Sequence, residues 1–252
     1  ERVLASTPTR LVIFESPTNP VGKIADLAAL TALARRHGAL TLLDNTLAGP
    51  HQHGQYDIDL YLHSLTKFAA GHGDVMGGAL IGNAELIGPL RAEFILLGAV
   101  LDPHAAFLVQ RGLKTYFVRY REQARSAQRV AEYLLAHPAV SRVHYPGLPS
   151  HPRHELACAQ MSEFGSVLSF ELRGGAEAGR RFAEALQLFA LAASLGATDS
   201  LVLPPQLIGA RDLNVDQLRL AEIGPGTVRL AIGLEDTADL LADLAQALAT
   251  AR

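Results

Sequence analysis

Two short apolar runs, Leu11–Phe14 and Leu40–Leu43, bracket a segment whose apolar residues recur at helical spacing: Leu27, Leu30, Leu33 and Ala34. Asp26 opens that segment as an N-cap, and Gly38 closes it at the left-handed cap position. A strand, a helix and a second strand at these lengths make a βαβ unit. Such a unit needs a parallel sheet whose faces are covered, so the pattern predicts an α/β fold. A third apolar run, Leu60–Leu62, extends it. Ligands of open α/β sheets bind beyond the carboxyl ends of the strands. Glu15, Asp44 and the segment Ser64–Lys67 each fall just past a predicted strand end.

Further along, Gly71–Gly78 reads as a Gly-rich turn. Asp102-Pro103 then introduces a long amphipathic helix, from about residue 104 to residue 136. Its arginines, Arg119, Arg121, Arg125 and Arg129, read as a solvated face. From Val140 the strict alternation lapses: strands at 140–145, 167–172 and 227–232, and helices at 177–188 and 238–248, suggest a separate α+β lobe. The boundary is expected inside the long helix, dividing the chain into 1–115 and 116–252.

Composition removes several classes. Twenty-two Lys+Arg against 25 Asp+Glu give a formal charge of −3, which leaves no basic footprint for nucleic acid. No stretch approaches the roughly 18 apolar residues that would span a membrane. The single cysteine, Cys158, excludes a disulfide framework and fits a reducing, cytoplasmic compartment. It reads as a small packed hydrophobe with no His near it in sequence. His51 with His53, and His151 with His154, lack a matching ligand cluster. They read as solvated loop residues, and no metal is expected.

The segment Ser64-Leu65-Thr66-Lys67 carries the densest chemistry. A lysine amine can form a Schiff base with a carbonyl cofactor while neighbouring hydroxyls bind an anion. Asp44, at an adjacent strand end, could keep a pyridine nitrogen protonated by favouring its charged form. Pyridoxal phosphate needs that set. Ser-x-x-Lys also occurs in serine acyl-enzymes, but their Ser-Asp-Asn and Lys-Thr-Gly partners are absent: Lys114-Thr115 is followed by Tyr116. A surface lysine in a polar loop is the plain alternative, and spacing alone favours it. Arg229 interrupts the apolar run Val228, Leu230, Ile232, as either a structural ion pair or a clamp on a substrate carboxylate. Ser194 could add a donor to it.

Taken together, the chain resembles the Cys/Met-metabolism family of pyridoxal-phosphate enzymes, which includes cystathionine γ-synthase, γ-lyase and β-lyase and methionine γ-lyase. The resemblance is carried by Glu15-Ser16-Pro17-Thr18-Asn19-Pro20, Asp44-Asn45-Thr46, His63-Ser64-Leu65-Thr66-Lys67 and Gly71-His72-Gly73-Asp74-Val75. It continues through Arg111-Gly112-Leu113-Lys114-Thr115, the stretch Tyr145 to Pro152, Ser194-Leu195-Gly196 and the stretch Arg229 to Glu235. It implies a fold-type I transferase: the carboxyl half of the large parallel-sheet domain followed by a small α+β domain. It also implies pyridoxal 5'-phosphate joined to Lys67, which would double as the mobile acid/base. Asp44 would pair with the pyridinium, Ser64 and Thr66 would hold the phosphate, and Thr46 would lie close to the ring. Asn19 would reach both the cofactor hydroxyl and the substrate carboxylate, and Arg229, helped by Ser194, would clamp that carboxylate. The implied reaction is β- or γ-elimination or γ-replacement on a small amino-acid substrate, either a sulfur amino acid or activated homoserine. The cystathionine γ-lyase/γ-synthase type is favoured and methionine γ-lyase is the rival. A non-catalytic scaffold is the reading from another class. The implied assembly is a homotetramer, a dimer of dimers that share active sites.

Two departures bear on this. The family's amino-terminal portion would supply a Gly-containing phosphate loop, a Tyr that stacks on the ring and an arm to the neighbouring subunit. None of these lies within the 252 residues, which alone are expected to bind the cofactor weakly or not at all. Pro204-Pro205-Gln206-Leu207 stands where many members carry a Pro-Ala-Ser-Met-Thr-His stretch, and Ala193 stands where several cystathionine enzymes carry an acid.

Overall fold

A computed structural model describes residues 1–208 and 213–251, with Gln206 described by its backbone alone. A short helix α1 (Arg2–Ser6) leads into β1 (Leu11–Glu15), α2 (Leu27–Arg36), β2 (Leu40–Asp44) and β3 (Leu60–Ser64). The predicted N-cap forms: the Asp26 carboxylate accepts from Ala29 N at 3.0 Å. Leu27 and Ala34 of α2 are fully buried. β1, β2 and β3 pair in parallel, in register, so their carboxyl ends come out on one edge.

The Gly-rich stretch does more than turn. After a wide helical turn, Leu65–Ala69, its last residues begin β4 (Gly78–Gly82), which returns antiparallel beside β3. The sheet, in order β1-β2-β3-β4, is therefore mixed at one edge. α3 (Ala84–Leu96) follows, capped by the Asn83 side chain on Leu86 N at 2.9 Å.

The expected single long helix is two: α4 (Pro103–Leu113) and α5 (Tyr116–Ala136). The break falls at Lys114–Thr115. α4 crosses the end of the 65–69 turn so closely that a Cβ at Gly112 would stand 2.1 Å from Ala70 O. That crossing fixes the direction of α4, and α5 departs on its own course.

The remaining elements are β5 (Val140–His144), α6 (His154–Gln160), β6 (Val167–Leu172), α7 (Gly175–Ala185), β7 (Ala190–Leu191), β8 (Leu201–Leu203), α8 (Val215–Ala221), β9 (Thr227–Ala231) and α9 (Thr237–Thr250). They build a second sheet in the order β5-β6-β9-β8-β7, antiparallel except for the β7–β8 pair. α7 ends three residues before the expected position because the Asp243 carboxylate draws off the backbone N–H groups of Gln187 and Leu188, at 2.9 and 2.8 Å.

α5, α7 and α9 cover this sheet. Leu134, Phe170, Phe182, Leu230 and Leu244 are each fully buried between them, and Phe170 meets Phe182 edge-on at 5.4 Å. Each such side chain contributes roughly 1.5–3 kcal/mol by leaving water. A second cluster spans the two sheets: Leu47 and Phe68 from the first pack with Tyr120, Leu195 and Ala231. That shared core holds the carboxyl ends of β1–β3 against β9.

Candidate active site

Three strand ends supply the floor of the site. Glu15 ends β1 and lies opposite Asp44, which ends β2. The chain then ties itself together across the edge: Thr46 N donates to Asp44 Oδ1 at 3.0 Å, and Ser64 N donates to Thr46 Oγ1 at 2.9 Å. Asn45 braces this corner from below, donating to the carbonyls of Gly49 and Gln52 and accepting from His53 Nδ1 at 2.7 Å. Asp44 Oδ2 and Ser64 Oγ have no hydrogen-bond partner among the described residues.

Lys67 sits where the 65–69 turn breaks, with non-helical backbone angles (φ −89°, ψ −128°). Its Nζ donates to Ser194 Oγ at 3.0 Å. Burial, and then the charge of Arg229, lower its pKa. Thr66 turns towards Gly77, whose N–H it accepts at 3.0 Å. The 194–196 loop is pressed onto this turn: Gly196 has φ +74°, and a methyl there would meet Phe68 N at 2.8 Å.

Arg229 projects from the buried strand β9 and is itself only 3% exposed. Nη1 donates to Asn19 Oδ1 at 3.1 Å and Nη2 to the Ser194 carbonyl at 2.7 Å. Nε is buried without an acceptor. No carboxylate pairs with this guanidinium among the described residues, and burial pushes its pKa down to about 10. Among the described residues this buried cation is held only by neutral oxygens, which leaves N–H groups for a further anion.

The structure thus brings Asn19, Lys67, Ser194 and Arg229 into one hydrogen-bonded chain, and Asp44, Thr46 and Ser64 into another beside it. The free oxygen of Asp44, the free hydroxyl of Ser64 and the partly buried amine of Lys67 match what pyridoxal phosphate requires. Thr66 is already engaged with Gly77.

Several expectations need correction. Arg119 is not on the solvated face. It is buried and donates through Nη2 to Gly112 O at 2.9 Å and Phe68 O at 3.1 Å, and through Nε to Thr115 Oγ1 at 3.0 Å. It therefore ties down the turn that carries Lys67. The signal was available in its spacing: Arg119 falls three residues from Tyr116 and four from Gln123, both on the buried stripe.

His51 and His53 are not solvated loop residues either. His51 lies between Tyr116 Oη (2.7 Å) and Glu163 Oε2 (3.1 Å), and His53 is buried on Asn45. His151 is buried as well. Cys158 is exposed rather than packed, and His154, one helical turn earlier, lies 3.5 Å from its sulfur. No group of three metal-binding side chains occurs among the described residues. Glu15, noted in sequence only as a strand-end acid, and His63, noted only as part of a motif, were given no role. Both are charge neighbours of Asp44: burial, and then Asp44, raise the pKa of Glu15 to about 7, while burial lowers that of His63 against the opposing pull of Asp44.

A partly buried lysine, a strand-end acid and a buried arginine without a carboxylate partner among the described residues come together on this α/β scaffold. The model of the family described as Cys/Met metabolism PLP-dependent enzyme matches residues 2–249, and the chain belongs to that family. It is 44% identical over 249 residues to L-methionine γ-lyase of Pseudomonas putida, covering 97% of this chain and 63% of that protein. It is 45% identical over 251 residues to cystathionine γ-synthase of Mycobacterium bovis, again 97% and 63%. Cystathionine γ-synthase from Xanthomonas oryzae pv. oryzae, solved in complex with cystathionine, superposes with a TM-score of 0.94 at 40% identity. That match covers 99% of this chain and 66% of the solved one. The chain therefore spans slightly under two thirds of the length of these relatives.

Proposed function

We propose that these residues form the lysine-bearing part of an enzyme that eliminates or replaces the β or γ substituent of a sulfur amino acid or activated homoserine, of the cystathionine γ-lyase/γ-synthase type. One observation carries the reading: Lys67 and Arg229 meet on a single residue, Ser194, one at its hydroxyl and the other at its carbonyl. An amine that can move a proton and a guanidinium that can bind a carboxylate are thereby held a fixed distance apart. That is the requirement for taking a proton from the α-carbon of an amino acid.

Each side chain has work to do. Lys67 anchors pyridoxal phosphate, and its lowered pKa leaves more free amine near neutrality. Asp44 would pair with the ring nitrogen through its free oxygen. Ser64 would hold the phosphate with its free hydroxyl, joined by Thr66, whose O–H is held only at 3.3 Å on Gly77 O, and Thr46 keeps the Asp44 corner in register. Asn19 orients Arg229 and would hold the cofactor hydroxyl. Arg229 takes the α-carboxylate through its remaining N–H groups and so presents the Cα–H to Lys67 Nζ. When bound, the cofactor supplies an electron sink for the charge left on the α-carbon.

Methionine γ-lyase is the second reading. Ala193 is exposed beside Ser194 and supplies no acid for a distal amine, and relatives of that name stand at similar identity. The division of labour between 1–115 and 116–252 follows the break between α4 and α5. We further infer a cytoplasmic tetramer built from dimers. In its favour are the lone cysteine and the exposed apolar residues Ile95, Leu96, Leu97 and Val100, which such an assembly would cover. Among the described residues no helix is long and apolar enough to cross a membrane.

The test is a product assay on the polypeptide expressed at the full length of its reading frame. Cystathionine, methionine and O-acylhomoserine are offered in turn, and ammonia, 2-oxobutyrate and thiol are measured. Turnover of at least one substrate, lost in Lys67→Ala, supports the reading. Equal turnover by Lys67→Ala, or none with any substrate by either form, refutes it.

A further inference from the structure

Asp44 does not stand alone at the sheet edge. Glu15 is its in-register neighbour on β1, and residues opposite each other in adjacent parallel strands project to the same face. Two carboxyls on strands roughly 4.8 Å apart repel when both are ionised. No cation pairs with Glu15 among the described residues. Its Oε2 accepts the backbone N–H of Asn19 at 2.8 Å, and its other oxygen has no partner there. Asn19 in turn holds Arg229 through its side chain. Glu15 thus touches both halves of the site: by charge the Asp44 corner, and by hydrogen bond the residue that holds Arg229.

We propose that Glu15 is a positioning residue that carries a proton while the site is empty, surrenders it when a cationic ring settles against Asp44, and holds Asn19 in place in both states. The proposal rests on the reading of Asp44 and Lys67 as the cofactor's partners. The charged groups around Glu15 fit it. Asp44 on β2 opposes its ionisation. His63, near the end of β3, feels the charge of Asp44. Arg229 on β9 is reached through Asn19, and Lys67 is turned to Ser194. Burial raises the empty-site carboxyl to about 7, against the opposing Asn19 N–H and with a smaller push from Asp44, so it is mostly protonated below that pH. A positive ring nitrogen beside Asp44 offsets that repulsion and favours the ionised form. The O–H bond of Glu15 breaks, its proton passes to the buffer, and no electrons change hands. Cofactor affinity therefore rises with pH up to about 7, by at most about tenfold per pH unit from this group.

The test is calorimetric titration of the cofactor-free, full-length polypeptide with pyridoxal phosphate at pH 6.5, in two buffers of different ionisation enthalpy. Wild type is compared with Glu15→Gln, which keeps an oxygen for the Asn19 N–H. Protons released by the cofactor, Lys67 and Asp44 are common to both forms, so the difference belongs to Glu15. Wild type should release more, by up to about 0.8 of a proton, the protonated fraction at this pH. Equal release by two forms that both bind overturns the proposal and leaves the proposed function standing. Failure of wild type to bind overturns both. Should the variant not fold, carboxyl carbon NMR of the wild type decides. A glutamate midpoint near 7 that drops on adding pyridoxal phosphate supports the proposal, and its absence defeats it. A KM for the amino acid that rises in Glu15→Ala but not in Glu15→Gln is the expected kinetic signature of the Asn19 contact.

Discussion

Replacing Arg229 separates a substrate clamp from a structural ion pair, because the two make opposite claims about stability. The guanidinium has five N–H groups, and the described residues engage two of them, on Asn19 Oδ1 and the Ser194 carbonyl. The others remain for a carboxylate. A hydrogen bond to a charged group is worth about 1.5–3 kcal/mol, and a lysine cannot reproduce the two-pronged contact. Arg229→Lys should therefore lower kcat/KM by about 10- to 150-fold, mostly through KM. Arg229→Met removes the charge at similar volume. No carboxylate of the described chain loses a mate, and the exposed Asn19 and the half-buried Ser194 carbonyl can both turn to water. The free protein should then change in stability by less than about 1 kcal/mol, or about 2–4 °C in Tm for a chain of this size. Breaking a genuine buried ion pair would cost about 3–5 kcal/mol. Steady-state kinetics and thermal melts without substrate suffice. A melting temperature lowered by 6 °C or more in Arg229→Met, with KM unmoved in Arg229→Lys, would refute the reasoning.

Two further outcomes follow from buried groups outside the clamp. Burial, and then His51, push the pKa of His53 down from 6.5 to about 4, and its Nε2 is buried without a partner. A depressed pKa means the unfolded chain binds the proton first, so this contribution is complete above about pH 6.5 and lost as pH falls towards 4. By pH 4.5 the loss should amount to about 2–3 kcal/mol, seen as a urea midpoint that falls less between pH 7 and 4.5 in His53→Gln than in wild type. Arg119→Ala leaves the carbonyls of Gly112 and Phe68 without their donor, which predicts a loss of about 3 kcal/mol by urea unfolding and weaker cofactor binding in a direct titration.

Much of the first sheet was legible because its signals are local. Strand periodicity, the Asp26 cap and the Gly38 stop each lie within a few residues of what they control. For the same reason Asp44 and Lys67 could be picked out: placement just past a strand end is a property of the neighbouring sequence. What was missed depends on distant partners. Gly78–Gly82 is a strand only because β3 pairs with it. Nothing in Lys114-Thr115 stops a helix. The break reflects the seating of Gly112 on Ala70. Arg229 finds Asn19 210 positions away, and Lys67 finds Ser194 127 positions away, so neither contact is written in any window of the chain. The residues alone left Arg229, with Ser194, open between an ion pair and a clamp; the family resemblance favoured the clamp and added Asn19. Glu15 was visible as a strand-end acid, but its protonated state depends on a neighbour and a depth of burial that only the folded sheet provides.

The most direct measurement is chemical. Full-length polypeptide loaded with pyridoxal phosphate is reduced with borohydride, digested and mapped by mass spectrometry. The account predicts the pyridoxyl mass on the peptide containing Ser64-Leu65-Thr66-Lys67, at the lysine, in stoichiometric yield. A label on Lys23 or Lys114, or on no peptide at all, would contradict it.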